Sequence, residues 1–426
     1  MCYSFGIGAA LGVLHFADIC RFQFFQRLAF AKTLCNSQGT DKSPFVNAKL
    51  FENQSVLSAP SHTAYLVHAN TVSSNNPGED RHSLAYDTKS DTALFAVIDG
   101  HKGFQCAETL KHSLLAFVAS HIRPGLNRSL KLVDPVRELH SSCHLSEQED
   151  AAVHPDNKQG VLKEMREAFL EMDNSISNAA LSDVQLIGKG HSLTEEMKQR
   201  ILSALTGACV NLGYLAGREL FIANTGDCRA VVGTRVDGRW VPTPLSVDQQ
   251  VSDQEEVNRL RRDHPGEEDT VISAGRLLGS LMPLRSFGDV DFKWSKENVE
   301  IVSRVVSPFY RTPPYLTAEP VVTHRTLSDG DRFLVLATDG LWEKMSNEQV
   351  VNLVASFVDE SQTTSRWLKA FSGRGSSNTV DSNAATALIR HALGISDEAV
   401  YDILTIPHPM TRMYRDDITV MVMFFK

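Results

Sequence analysis

The segment ALFAVIDGH, residues 93–101, joins six apolar residues directly to Asp-Gly-His. A continuous apolar run of this length predicts a buried β-strand. Asp-Gly is a common turn, so this segment taken alone predicts that the strand ends at Asp99. The alternative is that the strand delivers a carboxylate to a functional site, and the other acidic residues of the chain decide between the two.

Acidic residues recur at the edges of apolar runs along the chain. They are Glu79 and Asp80 in GEDR, Asp227 in FIANTGD, Asp339 in FLVLATDG, and Asp416 and Asp417 in RDDITVMV. Carboxylates gathered at one rim of a core raise each other's pKa unless cations compensate them. Mg²⁺ and Mn²⁺ prefer such oxygen ligands, and two ions about 4 Å apart activate water for attack on a phosphoryl group. The pattern therefore indicates a divalent metal site.

The order of the apolar runs favours an α+β fold. ACVNLGYLAG and RELFIANTGDCRAVVGTRVDGRW predict successive antiparallel strands joined at Gly and Asp. Helical apolar spacing occurs in 103–122, 162–180, 347–358 and 383–394, with a short charged helix at 255–265. Residues 36–78 are polar and predict an irregular segment. Without strict alternation of strands and helices, a sandwich is favoured over a doubly wound sheet.

Composition excludes several classes of protein. The chain has 426 residues, 42% of them hydrophobic, which allows a substantial core. With 42 Lys plus Arg against 51 Asp plus Glu, the net charge of -9 argues against a broad nucleic-acid-binding surface, although it does not exclude a local basic site. The seven scattered cysteines contain no Cys-x-x-Cys pair, which predicts free thiols in a reducing compartment.

Residues 1–40 differ from the rest of the chain. Asp18 is their one acid, and RFQFFQRLAFAKTL predicts a basic amphipathic helix of the kind found in mitochondrial presequences. The apolar run FGIGAALGVLHFA before it is too short for a membrane span. We expect a targeting segment at 1–40. A signal or anchor sequence, or a poorly defined start of the gene model, is the alternative.

The ordered motifs GEDR, FAVIDGH, ANTGDCRAVVG, RSFGD, LATDGLWE and RDDITVMV resemble the metal-dependent type 2C protein phosphatases. RLLGSLMPLRSFGDVDFKW, RTPPYLTAEP and NAATALIRHALG resemble the mitochondrial pyruvate dehydrogenase phosphatase branch of that family. The resemblance covers about residues 77–425. It implies a four-layer αββα sandwich of two antiparallel sheets flanked by helices. One catalytic domain would span 41–426, with inserted segments near 123–160 and 361–380.

The resemblance also implies roles for the acidic residues. Two Mg²⁺ or Mn²⁺ ions would lie between the sheets, bridged by Asp99 and bound by the Gly100 carbonyl, Asp339 and Asp416. Asp80, and Glu79 through water, would lie beside them, and Asp227 matches a third, weaker metal position. His101 would donate a proton to the leaving hydroxyl, and Asp289 would support the site without binding metal.

The sequence departs from the family pattern at the phosphate. Many members carry an arginine four residues before the Glu-Asp pair, where this chain has Asn75. Phosphate binding then requires another cation, for which the candidates are Arg81, Arg276, Arg285 and Arg415. Lys102 stands where a small residue is common, and it is either a phosphate contact or a solvated lysine. Cys228 replaces a common serine and has no evident base nearby, so a nucleophilic role is not expected.

The resemblance implies a protein serine/threonine phosphatase that removes phosphate from the E1 component of pyruvate dehydrogenase in the mitochondrial matrix. Its partners would be this phosphoprotein and either a lipoyl domain or a regulatory subunit, with no nucleic acid. Two alternatives are a general phosphatase of the cytosol and a non-catalytic binding module with the same fold. Acids at 99, 339 and 416 favour an enzyme over the binding module.

Overall fold

A computed structural model describes residues 41–58, 63–133, 157–302, 307–361 and 381–426. The predicted targeting segment at 1–40 and most of the two predicted inserted segments lie outside these residues. Val46–Lys426 forms one compact unit. Within the described ranges, no helix combines the length and the apolar character needed to cross a bilayer.

The strands in chain order are β1 (Ser55–Ser58), β2 (Ala64–Val72), β3 (Arg81–Asp87), β4 (Thr92–His101), β5 (Lys131–Leu132), β6 (Gly207–Ala216), β7 (Glu219–Thr225), β8 (Arg229–Val236), β9 (Arg239–Pro244), β10 (Ile272–Ser273), β11 (Arg276–Leu277), β12 (Phe287–Gly288), β13 (Val321–Thr326), β14 (Asp331–Ala337) and β15 (Ile418–Phe425). Two main sheets result. The first has the order β1-β2-β15-β14-β8-β9 and the second β13-β7-β6-β4-β3-β5, with β12 paired to β6. All of their strand pairs are antiparallel.

The helices are α1 (Ser43–Phe51), α2 (Gln105–Ile122), α3 (Leu126–Ser129), α4 (Lys158–Gly188), α5 (Glu195–Leu205), α6 (Gln254–Asp263), α7 (Lys296–Val302), α8 (Asp339–Trp342), α9 (Asn347–Ser361), α10 (Ala384–Leu393) and α11 (Asp397–Leu404). Helices α2, α4 and α5 cover the outer face of the second sheet. Helices α8, α9 and α10 cover the first.

A third apolar cluster lies between the sheets. It joins Val67, Leu336 and Met423 of the first sheet to Phe95 and Ile222 of the second. Each sheet is therefore apolar on both faces, which explains the long unbroken apolar runs of the sequence. The order helix, sheet, sheet, helix confirms the predicted α+β sandwich.

The prediction of an irregular segment at 36–78 is wrong, because α1, β1 and β2 lie within it. The sequence AYLVHANTV of β2 does not show that this strand is buried. His68 and Asn70 interrupt the apolar run, yet both side chains are buried. Asn70 Nδ2 donates to the Leu50 carbonyl (2.8 Å) and to Thr386 Oγ1 (2.9 Å). The Ala384 amide donates to His68 Nδ1 (2.8 Å), and burial lowers the pKa of this ring to about 4. Specific acceptors and donors thus allow polar groups in a central strand.

The expected turn at Asp99 is also wrong. Strand β4 continues through His101, where Gly100 pairs with Ala208 and His101 with Gly207 of β6. Glycine at 100 is required by close packing, because a Cβ there would lie 2.5 Å from the backbone oxygen of Glu79. The ladder therefore holds Asp99 inside a paired strand rather than in a turn.

We expect the buried face of β2 to contribute strongly to stability. Val67 is fully buried between the sheets, whereas Val56 of the adjacent β1 is 46% exposed. Val67→Ala should lower the free energy of unfolding by about 2 kcal/mol, because it removes buried methyl groups and leaves a cavity. Val56→Ala is the matched control and should cost well under 1 kcal/mol. Urea denaturation followed by circular dichroism measures both, and equal losses would contradict a central position for β2.

Candidate metal centre

Three aspartates from separate parts of the chain converge between the two sheets. Asp99 lies near the end of β4, Asp227 lies between β7 and β8, and Asp339 begins α8 directly after β14. One carboxylate oxygen of each lies within 4.8 Å of the other two. Because β4 and β14 belong to different sheets, this acidic cluster lies in the cleft between the sheets.

Asp416 and Asp80 extend this cluster. Asp416 lines the same cavity as the three aspartates, and this acidic cavity has a volume of about 500 Å³. Asp80 is buried, and its Oδ2 accepts a hydrogen bond from Thr338 Oγ1 (2.9 Å). Asp80 Oδ1 is buried without a hydrogen-bond partner among the described residues. An unsatisfied buried carboxylate oxygen is costly, which makes this atom suitable for a cation.

The electrostatics of the cluster favour a bound cation. Burial raises the pKa of Asp99, and the charges of Asp339, Asp80 and Asp227 raise it further. Burial and the charge of Asp227 likewise raise the pKa of Asp339 well above its ordinary value. These groups resist ionisation until positive charge compensates them. Oxygen donors at this density fit Mg²⁺ or Mn²⁺.

Asp417 fixes the loop that carries Glu79 and Asp80. Its Oδ1 accepts hydrogen bonds from the backbone amides of Ser74 (2.5 Å) and Asn75 (2.8 Å). Its Oδ2 accepts from the amides of Glu79 (2.6 Å) and Asp80 (3.3 Å). The sequence placed Asp417 among the acids at strand edges without a ligand role. All four contacts join its carboxylate to backbone amides, so it orders the loop.

His101 lines the acidic cavity and contacts Asp289, whose support of the site was expected. His101 Nε2 lies 2.6 Å from Asp289 Oδ2, which also accepts from Ser286 Oγ (2.6 Å). Burial lowers the pKa of His101, but the charge and hydrogen bond of Asp289 outweigh this and raise it overall. A protonated imidazole held by a carboxylate on one nitrogen keeps its other N–H as a donor.

Lys102 is partly exposed, and two aspartates hold its ammonium group, so it is not free to bind phosphate. Its Nζ lies 2.8 Å from Asp289 Oδ1 and 3.0 Å from Asp291 Oδ2, and 4.7 Å from the centre of the Phe292 ring. Burial raises the pKa of Asp289, but His101 and Lys102 outweigh it and hold that pKa well below its ordinary value. Lys102 therefore keeps Asp289 ionised beside His101.

Comparison with known proteins agrees with this geometry. Residues 136–395 match the family model "Protein phosphatase 2C". The chain belongs to this family. It is 36% identical over 413 residues to human [pyruvate dehydrogenase [acetyl-transferring]]-phosphatase 2, mitochondrial, covering 84% of this chain and 77% of that protein. A protein phosphatase 2C homolog of Schizosaccharomyces pombe is 37% identical over 376 residues, with 84% and 79% covered. Bovine [pyruvate dehydrogenase [acetyl-transferring]]-phosphatase 1, mitochondrial, is 32% identical over 419 residues, with 84% and 77% covered.

The protein is therefore a metal-dependent serine/threonine protein phosphatase, and its partner is a phosphoprotein substrate. Phosphatase 2C enzymes use Mg²⁺ or Mn²⁺, and the acidic cluster fits such ions. Cys228 is fully buried, and burial raises the pKa of its thiol further above neutrality, as do Asp99 and Asp227. This thiol is unsuited to act as a nucleophile.

Most of the arginines named as candidates for the phosphate-binding cation have other partners. Arg81 contacts Glu108 (2.5 Å), Arg285 pairs with the buried Glu256 (2.5 Å) and Arg415 donates to the Ser73 carbonyl (2.6 Å). Arg276 lines the acidic cavity, where its Nη1 donates to the Ser280 carbonyl (3.1 Å). Three of the four candidates thus serve the scaffold.

Sequence reasoning missed Arg412, which also lines the acidic cavity. Arg412 lies in the 3₁₀ turn Met410–Met413 and forms an ion pair with Asp416. Its side chain is 44% exposed. Burial lowers its pKa, but Asp416 and Glu79 outweigh this and raise it overall. The only signal in the sequence was that Arg412 lies four residues before Asp416. This spacing predicts an ion pair only if the intervening chain forms a turn, which the sequence does not indicate.

Metal binding should be measurable without catalysis. In EDTA, Asp339→Asn should melt at or above the temperature of the parent, because it removes one of several repelling carboxylates. Mg²⁺ at 100 times its dissociation constant should stabilise the parent by about 2.7 kcal/mol. The variant should gain much less. Differential scanning calorimetry with Mg²⁺ and with EDTA measures both.

Asp329→Asn is the matched control for loss of an aspartate, because the Asp329 side chain is 95% exposed at the surface. It should keep the full Mg²⁺ effect. A Mg²⁺ effect in Asp339→Asn equal to that of the parent would exclude Asp339 from the metal centre.

Proposed function

We propose that this phosphatase removes phosphate from phosphoserine in the E1 component of pyruvate dehydrogenase. The observation that carries the proposal is the 36% identity, over 84% of the chain, to a protein named as a pyruvate dehydrogenase phosphatase. The 32% identity to the bovine phosphatase 1 supports it. A general phosphatase with other phosphoprotein substrates is the competing function.

We propose two divalent ions at the acidic cluster, which Asp99, the Gly100 carbonyl, Asp339 and Asp416 would hold. Asp80, and Glu79 through water, would lie beside these ions. Asp227 would hold a third, more weakly bound ion. The ions, when bound, supply charge stabilisation for the phosphoryl group and lower the pKa of a bound water. The raised pKa values of Asp99 and Asp339 and the unpartnered Asp80 Oδ1 support this assignment.

His101 is proposed to donate a proton to the departing serine oxygen. A serine alkoxide is a poor leaving group, so a positioned acid contributes to the rate. The contact with Asp289 fixes the orientation of the ring and raises the pKa of His101. The imidazole therefore stays protonated up to a higher pH than a free histidine does. Asp289 is a positioning residue in this proposal, because it acts through His101.

Arg412 is proposed to bind the substrate phosphate in place of the arginine that Asn75 replaces. Its half-exposed guanidinium lines the same cavity as Asp99 and Asp339. Asn75 is neutral, and its Nδ2 donates to Glu79 Oε2 (2.8 Å). A guanidinium offers paired donors that match a phosphoryl group, and its charge offsets the acids around it.

The mitochondrial matrix is the proposed location. The relatives in mammals are named as mitochondrial proteins, and the basic amphipathic pattern within residues 1–40 supports import. Contact with a lipoyl domain or a regulatory subunit is part of the same proposal, since such a substrate belongs to a multienzyme complex.

The substrate assignment is tested with phosphorylated E1. The parent should release phosphate only with Mg²⁺ or Mn²⁺, and Asp99→Asn should lower kcat by about 100-fold or more, because a central charge is lost. Asp329→Asn should retain parental activity. Release of radioactive phosphate is the measurement. Metal-dependent activity on a generic phosphopeptide without activity on E1 would favour the general phosphatase, and no activity on either would favour a binding module.

Variants of Arg412 test phosphate binding independently of metal binding. Arg412→Ala should lower kcat/KM on a phosphopeptide by about 10- to 100-fold, the range expected for a lost charged hydrogen bond. It should weaken inhibition by inorganic phosphate in parallel, and Arg412→Lys should restore part of both. Arg276→Ala is the matched comparison within the cavity. A large loss in Arg276→Ala with none in Arg412→Ala would move the role to Arg276.

A further inference from the structure

A second cavity of about 640 Å³ adjoins the acidic cavity, and we call it the side cleft. Its walls come from the loop before β3, the start of α2 and the 3₁₀ turn Met410–Met413. The residues that matter for its chemistry are Pro77, Glu79, Phe104, Pro409, Arg412 and Met413. None of the roles proposed so far for the acidic cavity uses its apolar members.

The surface that the side cleft leaves available is mainly apolar. Met413 is 66% exposed, although it is a large apolar residue. Phe104 is only partly buried, and its ring lies 5.5 Å below the Arg81 guanidinium. Two polar side chains of the inner wall are already paired with each other, because Asn75 Nδ2 donates to Glu79 Oε2 (2.8 Å). Gln105 Oε1 also lies in this lining and is buried without a hydrogen-bond partner among the described residues. A ligand gains most here by burying an apolar group.

The side cleft is continuous with the catalytic region. Arg412 lines both the side cleft and the acidic cavity, so its side chain forms part of the wall between them. Glu79 lines the side cleft, and its backbone oxygen packs directly against Gly100, next to Asp99. An extended polypeptide advances about 3.3 Å per residue, so a few residues suffice to pass from one cavity to the other.

We propose that the side cleft binds an apolar side chain of the phosphoprotein substrate, within three residues of the phosphoserine. The proposal rests on the phosphatase function proposed above. Arg412 separates two chemical environments: the phosphoryl group lies with the acidic cluster and its ions, and the apolar neighbour packs against Met413 and Phe104. The side cleft thereby selects the sequence around the phosphorylation site.

A leucine scan tests the proposal. Phosphoserine peptides that differ only in a single leucine, placed at each position from three before to three after the phosphoserine in an alanine background, are assayed with the parent. One or two positions should raise kcat/KM about tenfold, as expected for burial of most of a leucine side chain. Met413→Gln should lose most of that preference, while Leu193→Gln, at another exposed apolar residue, should keep it.

Two further readouts separate the possible failures. Hydrolysis of p-nitrophenyl phosphate by each variant corrects the peptide rates for any change at the acidic cluster. Fluorescence anisotropy with labelled peptides and the Asp99→Asn variant measures binding without turnover. No favoured position in either the kinetics or the binding, or a preference that survives Met413→Gln, overturns the proposal. Leucine-dependent binding without hydrolysis in the parent would reject the phosphatase function and retain the side cleft as a peptide site.

Discussion

Repulsion between closely spaced carboxylates is the constraint that the rest of this fold has to overcome. Asp99 lies in β4, Asp339 begins α8 just after β14 of the other sheet, and their ionised forms repel each other in the cleft. The apolar layer between the sheets, which includes Phe95 and Leu336, holds β4 and β14 together in spite of that repulsion. The free energy gained by burying the apolar core therefore keeps the carboxylates close together. Because a cation relieves their mutual repulsion, the same closeness favours binding of positive charge.

Carboxylates of one chemical type perform different tasks here because their surroundings differ. Asp417 is surrounded by backbone amides, and Asp289 by His101 and Lys102. Both are satisfied by the protein itself and act as fixed anchors. Asp99 and Asp80 lack such compensation, and Asp80 keeps an oxygen without a partner among the described residues. The distinction between an anchor and a candidate ligand is therefore one of satisfied against unsatisfied charge.

The sequence was sufficient for the α+β sandwich and for the group of acids, because both depend on local patterns, whereas the four-layer order was implied by the resemblance to the phosphatase family. Apolar runs of strand length ending at Asp99, Asp227 and Asp339 are visible without coordinates. The strand β2 was missed, since the partners that allow His68 and Asn70 in a core come from residues more than 300 positions away or from another element. Arg412 was missed for a similar reason. Whether Arg412 can bind phosphate depends on which cavity its side chain reaches, and the spacing of residues along the chain does not predict that.

The continuous pairing of β4 with β6 has a consequence for how enzymes of this kind diversify. Alternate residues of a strand lie on the same face, so Asp99 and His101 share one face at a separation of about 7 Å along the strand. Pairing with β6, which continues through His101, fixes the distance between Asp99 and the proposed proton donor His101. Loops around the cleft are free to vary in length and sequence without altering that interval. New substrates are then acquired by remodelling the periphery, while the chemical step keeps a single geometry.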